Sequence, residues 1–133
     1  MRLSVKSEYA CLALIDLVEH QDEGLCKISE IAARKKIPKK YLEQILLTLN
    51  RSGFVSSRKG AEGGYRLAKP ADRISVAEIL RLMDGALAPV FSVSEYFYEH
   101  TPIERSEKLI GIFKEIRDFV ANRLESTTFD QLV

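Results

Sequence analysis

The sequence predicts a mainly α, α+β fold, and three observations carry that prediction. Apolar residues recur at helical spacing through most of the 133 residues. One glycine-dense stretch, Lys59-Gly60-Ala61-Glu62-Gly63-Gly64, separates two short runs that read as strands. The basic residues gather in a single window instead of spreading along the chain. Hydrophobic residues at 46% and charged residues at 29% are ordinary for a globular domain, which excludes disordered and collagen-like chains. The longest clean apolar run, Ala10 to Ile15, is cut by Asp16. It falls far short of the roughly 20 residues a membrane span needs. No stretch resembles a signal-peptide core, so a cytoplasmic location without membrane contact is expected.

The elements follow in order. A first helix is expected from Ser7, as N-cap, to about His20. Tyr9, Leu12, Ile15 and Val18 mark its apolar stripe, and Ala10, Cys11, Leu14 and Leu17 widen it, so the helix should be largely buried. Gly24 closes the next turn. A short helix fits Ser29 to Lys35, with Ile28 and Ile31 inward. Pro38 suits the first position of a third helix reaching about Asn50, in which Leu42, Ile45, Leu46 and Leu49 form one apolar face. Gly53 stops it. Two helices across a tight turn, about residues 28–51, make a helix-turn-helix. Phe54–Arg58 and Tyr65–Ala68 then pair as a β-hairpin, a wing over about 54–69. Ser75-Val76-Ala77-Glu78 is a capping box opening a helix that ends at Gly85.

Residues 1–85 thus read as a winged helix-turn-helix domain, and 86–133 as a linker loop and a long C-terminal helix. Thr101-Pro102-Ile103-Glu104 is the expected start of that helix. Its apolar set, Leu109, Ile110, Ile112, Phe113, Ile116, Phe119, Val120 and Leu124, covers too much circumference for one buried face. One side should rest on its own domain and the other on a second copy. The expected assembly is a homodimer.

The net charge of +1 conceals blocks. Residues 34–69 hold ten basic residues against two acidic ones, a net of +8, while 1–33 carry −3 and 76–133 carry −4. A basic window on a helix-turn-helix and wing points to double-stranded DNA. In such a motif the start of the second helix meets base edges. Lys39 and Lys40 supply charge there, Tyr41 and Gln44 hydrogen-bonding groups, and Glu43 an acceptor for cytosine N4. The alternative for Glu43 is orienting a neighbouring lysine, and for Tyr41 packing under the turn. Arg51 adds a cation at the helix end. Arg58, Lys59 and Gly60 stand at the wing tip, suited to the narrow, negative minor groove. Arg34, Lys35 and Lys36 are expected to touch only phosphate or solvent. No Ser/His/Asp or Cys/His/Asp set converges, so no enzyme is expected.

The opening Met1-Arg2-Leu3-Ser4 with Tyr9-Ala10, the run Tyr41-Leu42-Glu43-Gln44, the Lys59–Tyr65 hairpin and the ending Ser126–Leu132 resemble the Rrf-type family of bacterial winged-helix repressors. The likeness covers nearly the whole chain, and the family includes iron–sulfur, nitric-oxide and cysteine-metabolism regulators. It implies a homodimer joined through the long helices, a roughly palindromic operator, and Tyr41 and Glu43 in the recognition helix. Lys59-Gly60 stands where the family usually has Arg-Gly, and lysine lacks arginine's planar fork. Cluster-binding members carry three cysteines in the loop before the long helix. Residues 86–101 contain none, with Ser92, Ser94 and Tyr96 in their place. No iron–sulfur cluster or other metal is therefore expected. Glu8, where some members supply a ligand, reads as a first-turn residue favoured by the helix dipole.

The chain accordingly resembles the cluster-free, cysteine-metabolism subgroup. That likeness implies cysteine synthase as a candidate partner, with DNA binding controlled through the complex. The aromatic loop offers either a small-molecule effector pocket or a cover for the dimer helix, and the cover is the expectation. Cys26, in a turn after Gly24, is expected to be a half-buried cysteine without a role, since only Lys27 is a basic neighbour in sequence. The alternative is an accessible thiol serving as a redox switch. Cys11 is expected to be packing.

Overall fold

A computed structural model describes residues 1–133. It contains five α-helices and one two-stranded antiparallel sheet: α1 (Val5–Glu19), α2 (Ile28–Lys35), α3 (Lys39–Arg51), β1 (Val55–Arg58), β2 (Gly64–Leu67), α4 (Val76–Asp84) and α5 (Glu107–Glu125). The mainly α winged helix-turn-helix of the sequence reading is the observed architecture. No helix is long and apolar enough to cross a membrane.

The core forms around α1, whose Ala10, Ala13, Leu14, Leu17 and Val18 are buried. Leu42, Ile45, Leu46 and Leu49 of α3 face them and are fully buried. The period of that apolar face is what holds α3 as a helix with its polar residues outward. Between α2 and α3, Lys36 takes a left-handed conformation (φ 54°), and Ile37 plugs the turn against the core. Pro38 occupies the cap position, one residue before the helix.

Two helix starts differ from expectation. Ser4, not Ser7, caps α1: its hydroxyl accepts the Ser7 N–H at 3.1 Å. Asp84, 80 residues away in sequence, fixes Ser4 by accepting its N–H at 3.0 Å and its hydroxyl. Ser7 lies inside the helix, buried, with no partner for its hydroxyl. The expected start at Thr101 yields only a 3₁₀ turn, Pro102–Arg105, and α5 begins at Glu107 under a Ser106 cap. The cause is competition: the Thr101 hydroxyl bonds that of Ser92 at 2.5 Å, and the Glu104 carboxylate is taken by Tyr98 and His100.

One polar contact sits inside the apolar framework. Asp16 of α1 is 0% exposed, and Arg34 of α2 grips it with both ends of its guanidinium, Nε to Oδ1 at 2.8 Å and Nη2 to Oδ2 at 2.9 Å. Arg34 thus carries an intramolecular partner that the sequence did not suggest, while about a third of its side chain stays open to solvent. Lys35 likewise pairs with Glu19. Removing the Arg34 cation leaves the buried Asp16 carboxylate uncompensated. Arg34→Ala should cost about 3 kcal/mol in urea unfolding, and pairing it with Asp16→Leu should recover most of the loss. Unchanged stability in the single variant would contradict this account.

Candidate nucleic-acid interface

The hairpin pairs Val55 with Leu67, Ser56 with Arg66, Ser57 with Tyr65 and Arg58 with Gly64. A third segment joins it. Cys26 and Tyr65 exchange backbone hydrogen bonds, at 2.9 and 2.8 Å, and form an isolated antiparallel bridge. This bridge stitches the approach to α2 onto the wing, and it needs a glycine beside it. A Cβ on Gly64 would meet the Cys26 carbonyl oxygen at 2.6 Å. Asn50 Nδ2 donates to Ser57 Oγ at 2.9 Å, fixing the end of α3 to the hairpin. Lys69 lies over the Phe54 ring at 5.0 Å and near Glu78 at 3.9 Å, closing the wing's base.

Between α3 and the hairpin lies an open groove of about 640 Å³. Lys39, Glu43, Leu47 and Asn50 form one wall, Arg58, Lys59 and Gly60 the other, and Lys27 and Ser29 the end nearest α2. Five of the expected site residues, Lys39, Glu43, Arg58, Lys59 and Gly60, thus meet in one place. Lys40, Tyr41 and Gln44 do not join them. They line a separate shallow surface on the other flank of α3. There Tyr41 is 53% exposed, with its ring centroid 6.0 Å from that of Tyr9 on α1. Tyr41 therefore presents its ring outward and is not packed under the turn. Arg51 is exposed at the last turn of α3, beyond both surfaces.

Three of the ten basic residues in the window, Arg34, Lys35 and Lys69, are engaged by carboxylates. The other seven, Lys36, Lys39, Lys40, Arg51, Arg58, Lys59 and Arg66, form no ion pair. Glu43 makes no salt bridge to a neighbouring lysine, so its carboxylate is open for another donor. Sequence reasoning missed Lys27, Leu47 and Asn50. The last two were within reach, because 39, 43, 47 and 50 fall on one helix row. Lys27 joins the groove only through the Cys26–Tyr65 bridge.

The cysteines lie elsewhere. Cys26 is 5% exposed, more deeply buried than the half-buried cysteine expected, which counts against the alternative of an accessible thiol. Burial pushes its ionisation above the ordinary thiol range, and the Arg34 guanidinium opposes that rise. Cys11, half-buried on α1, is raised to about 11 by burial and by the charge of Asp84. Nowhere do three His, Cys, Asp or Glu side chains gather as a metal-holding set. The residues present do not fit an iron–sulfur cluster, which requires several thiolate or equivalent ligands.

The loop between α4 and α5 is mixed in exposure. Val93, Ser92 and Ser94 are buried, but Phe91, Tyr96, Phe97 and Tyr98 are exposed by 42% or more. Tyr96 and Phe97 nevertheless lie beside Arg117 and Ala121 of α5. The cavity beneath Phe97 holds only about 10 Å³, no more than a water molecule needs.

A helix-turn-helix whose second helix has open polar flanks, a glycine-tipped wing and uncommitted cations define a protein of the winged helix-turn-helix regulator class. Comparison with known proteins agrees. A family profile, Rrf2, described as an iron-dependent transcriptional regulator, matches residues 3–133. The regulator CymR of Bacillus subtilis is 33% identical over 132 residues, which span 99% of this chain and 89% of CymR. A Synechocystis protein named as an HTH-type transcriptional regulator, slr0846, is 43% identical over 89 residues, 67% of this chain and 60% of that one. Among solved structures, CymR (YrzC), named the global cysteine regulator of B. subtilis, superposes with a TM-score of 0.80 at 32% identity, covering 99% of this chain and 95% of that one. T. potens IscR superposes at 0.77 with 26% identity, covering 99% and 85%. The chain belongs to the Rrf2 family of transcription regulators, and it is CymR-like over its whole length.

Native Cys26 should react with a thiol reagent at least ~100-fold more slowly than in the urea-unfolded chain, as followed by peptide mass spectrometry. Labelling at the unfolded rate would show that the bridge to Tyr65 opens freely.

Proposed function

We propose that this protein is a cytoplasmic, homodimeric repressor that binds a roughly palindromic double-stranded DNA operator without an iron–sulfur cluster. The observation that carries the reading is the gathering of unpaired cations around both flanks of α3 and the wing. Seven cations free of carboxylate partners lie on α3, the turn before it and the hairpin, three of them (Lys39, Arg58 and Lys59) around one groove, and the phosphate backbone is the polyanion such a set fits. The start of α3 enters the major groove, with Lys39 and Glu43 on the wing side and Lys40, Tyr41 and Gln44 on the far side. Glu43 accepts from cytosine N4, and Gln44 addresses adenine. The wing tip, Arg58-Lys59-Gly60, follows the adjoining minor groove.

The dimer reading rests on α5. Leu109, Ile112, Ile116 and Phe119 recur at spacings of three and four and are exposed, Phe119 by 73%. Such a stripe suits a second helix packed in the manner of a coiled coil. The likeness to CymR supports a role in cysteine or sulfur metabolism, and the absence of cysteines from residues 86–101 supports the cluster-free reading.

Operator affinity should fall steeply with salt, with a log–log slope of about −0.9 for each phosphate contacted. Lys40→Ala should weaken binding to all sequences alike, whereas Gln44→Ala should flatten preference at one base pair by about 1–3 kcal/mol. Competition assays on single-base operator variants separate the two, and indifference of both variants would rule out α3 as the reading helix. Phe119→Glu should convert the dimer to a folded monomer in sedimentation velocity. A dimer of unchanged stability would place the interface elsewhere.

A further inference from the structure

The molecule's far end holds a feature the DNA reading does not use. After α5 the chain does not trail off but turns back at Ser126 and re-enters the winged-helix core. Phe129 is 0% exposed there and belongs to the same cluster as α1 and Ile74. The Phe129 N–H donates to the Ile74 carbonyl at 3.1 Å, and the Val76 N–H donates to the Thr127 carbonyl at 2.9 Å. Thr128 forms a backbone bridge with Ser75, the residue that caps α4. One turn earlier, Arg81 holds Glu125 at 2.7 Å. On the same side of α5, Ala121 is buried, Leu124 packs on the α4 cluster, and Arg117 donates to the Val93 carbonyl at 3.0 Å.

At about 100° per residue, Arg117, Ala121 and Leu124 lie roughly 120° around the helix from Leu109, Ile112, Ile116 and Phe119. The helix thus has one face welded to its own reading head and another left for a second copy. It is a lever about 28 Å long at 1.5 Å per residue. A tilt of about 10° at the welded end moves the other end about 5 Å, more than the ~3.4 Å rise of one base pair. Two heads reading half-sites about one helical turn apart tolerate little such play.

We propose that the C-terminal segment Ser126–Leu132 is a positioning clamp that fixes the spacing and angle of the two reading heads, with Phe129 as its anchor. It thereby sets which half-site separation the dimer selects. The clamp contacts no DNA and acts through α5. The proposal rests on the DNA-binding dimer of the preceding section.

The test inserts Gly-Ser between Ser126 and Thr127, which leaves Phe129 intact but loosens its tie to α5. Wild type, the insertion variant and Phe129→Leu are compared on an isolated half-site and on palindromes whose spacing varies in single base-pair steps. Sedimentation and thermal melting are read in parallel. Wild type should favour one spacing over its neighbours by about tenfold. In the insertion variant that ratio should drop below about twofold, with half-site affinity and dimer mass unchanged, while Phe129→Leu should retain most of it. An insertion variant with the wild-type spacing profile overturns the clamp. So does one that becomes monomeric, because the segment would then serve the dimer interface. Wild-type binding to half-sites without any spacing preference also sinks the clamp but leaves DNA reading intact. Failure of wild type to bind DNA at all removes the parent reading.

Discussion

The geometry of the reading head depends on one ion pair, in which Arg34 reaches in from the surface to the fully buried Asp16. A carboxylate with no exposure is costly unless its charge is compensated and its oxygens are hydrogen-bonded. The two-point grip of Arg34 does both and tolerates little rotation, because planar guanidinium and carboxylate meet in parallel. It therefore fixes α2 against α1 in angle as well as distance. Everything on the DNA side is hung from that relation. The turn at Lys36-Ile37 places α3 relative to α2, and the Cys26–Tyr65 bridge places the wing relative to the start of α2. Apolar packing alone would permit α2 to slide, and the ion pair removes that freedom.

The same interaction explains why the basic window is not uniformly a DNA surface. Charge proximity in sequence says nothing about which cations have partners in space. Arg34 and Lys35 lie on the side of α2 turned toward α1, where Asp16 and Glu19 neutralise them. Lys69 is turned toward Phe54 and Glu78. What remains for phosphates is a smaller set, aligned along α3 and the hairpin.

The legible parts of the fold were those encoded by neighbours in sequence. The Leu42, Ile45, Leu46, Leu49 row, the glycine-rich hairpin and the Ser75–Glu78 box each carry their own instruction, and each is found where it was read. The misread parts were decided by distant partners. Ser4 becomes a cap because Asp84 arrives from α4, and Thr101 fails as one because Ser92 claims its hydroxyl. Cys26 reads as a half-buried turn residue until Tyr65 pairs with its backbone and covers it. The site divides the same way. Lys39 and Glu43 followed from helix phase, whereas Lys27 enters the groove only through that non-local bridge. The split of α3 into two polar flanks was implicit in the helical period, but the wing's choice of one flank was not.

Charge then gives the molecule a direction. The C-terminal portion, 76–133, carries a net −4, and the window 34–69 a net +8. A polyanion approaching the acidic end is repelled, while one approaching α3 and the wing is drawn in. Screening limits this to about 8–10 Å in physiological salt, so orientation is sorted only in the last nanometre before contact. In that range the charge blocks favour one face of the molecule over the rest of its surface. A uniformly basic protein of the same size would bind DNA more strongly but in many poses. A near-neutral chain with its charges in blocks gives up some long-range attraction and gains a defined pose. Within that C-terminal portion α5 itself is neutral, four acidic residues against four basic, so the repulsion comes from the segments flanking it, while the free cations of α3 and the wing supply the attraction.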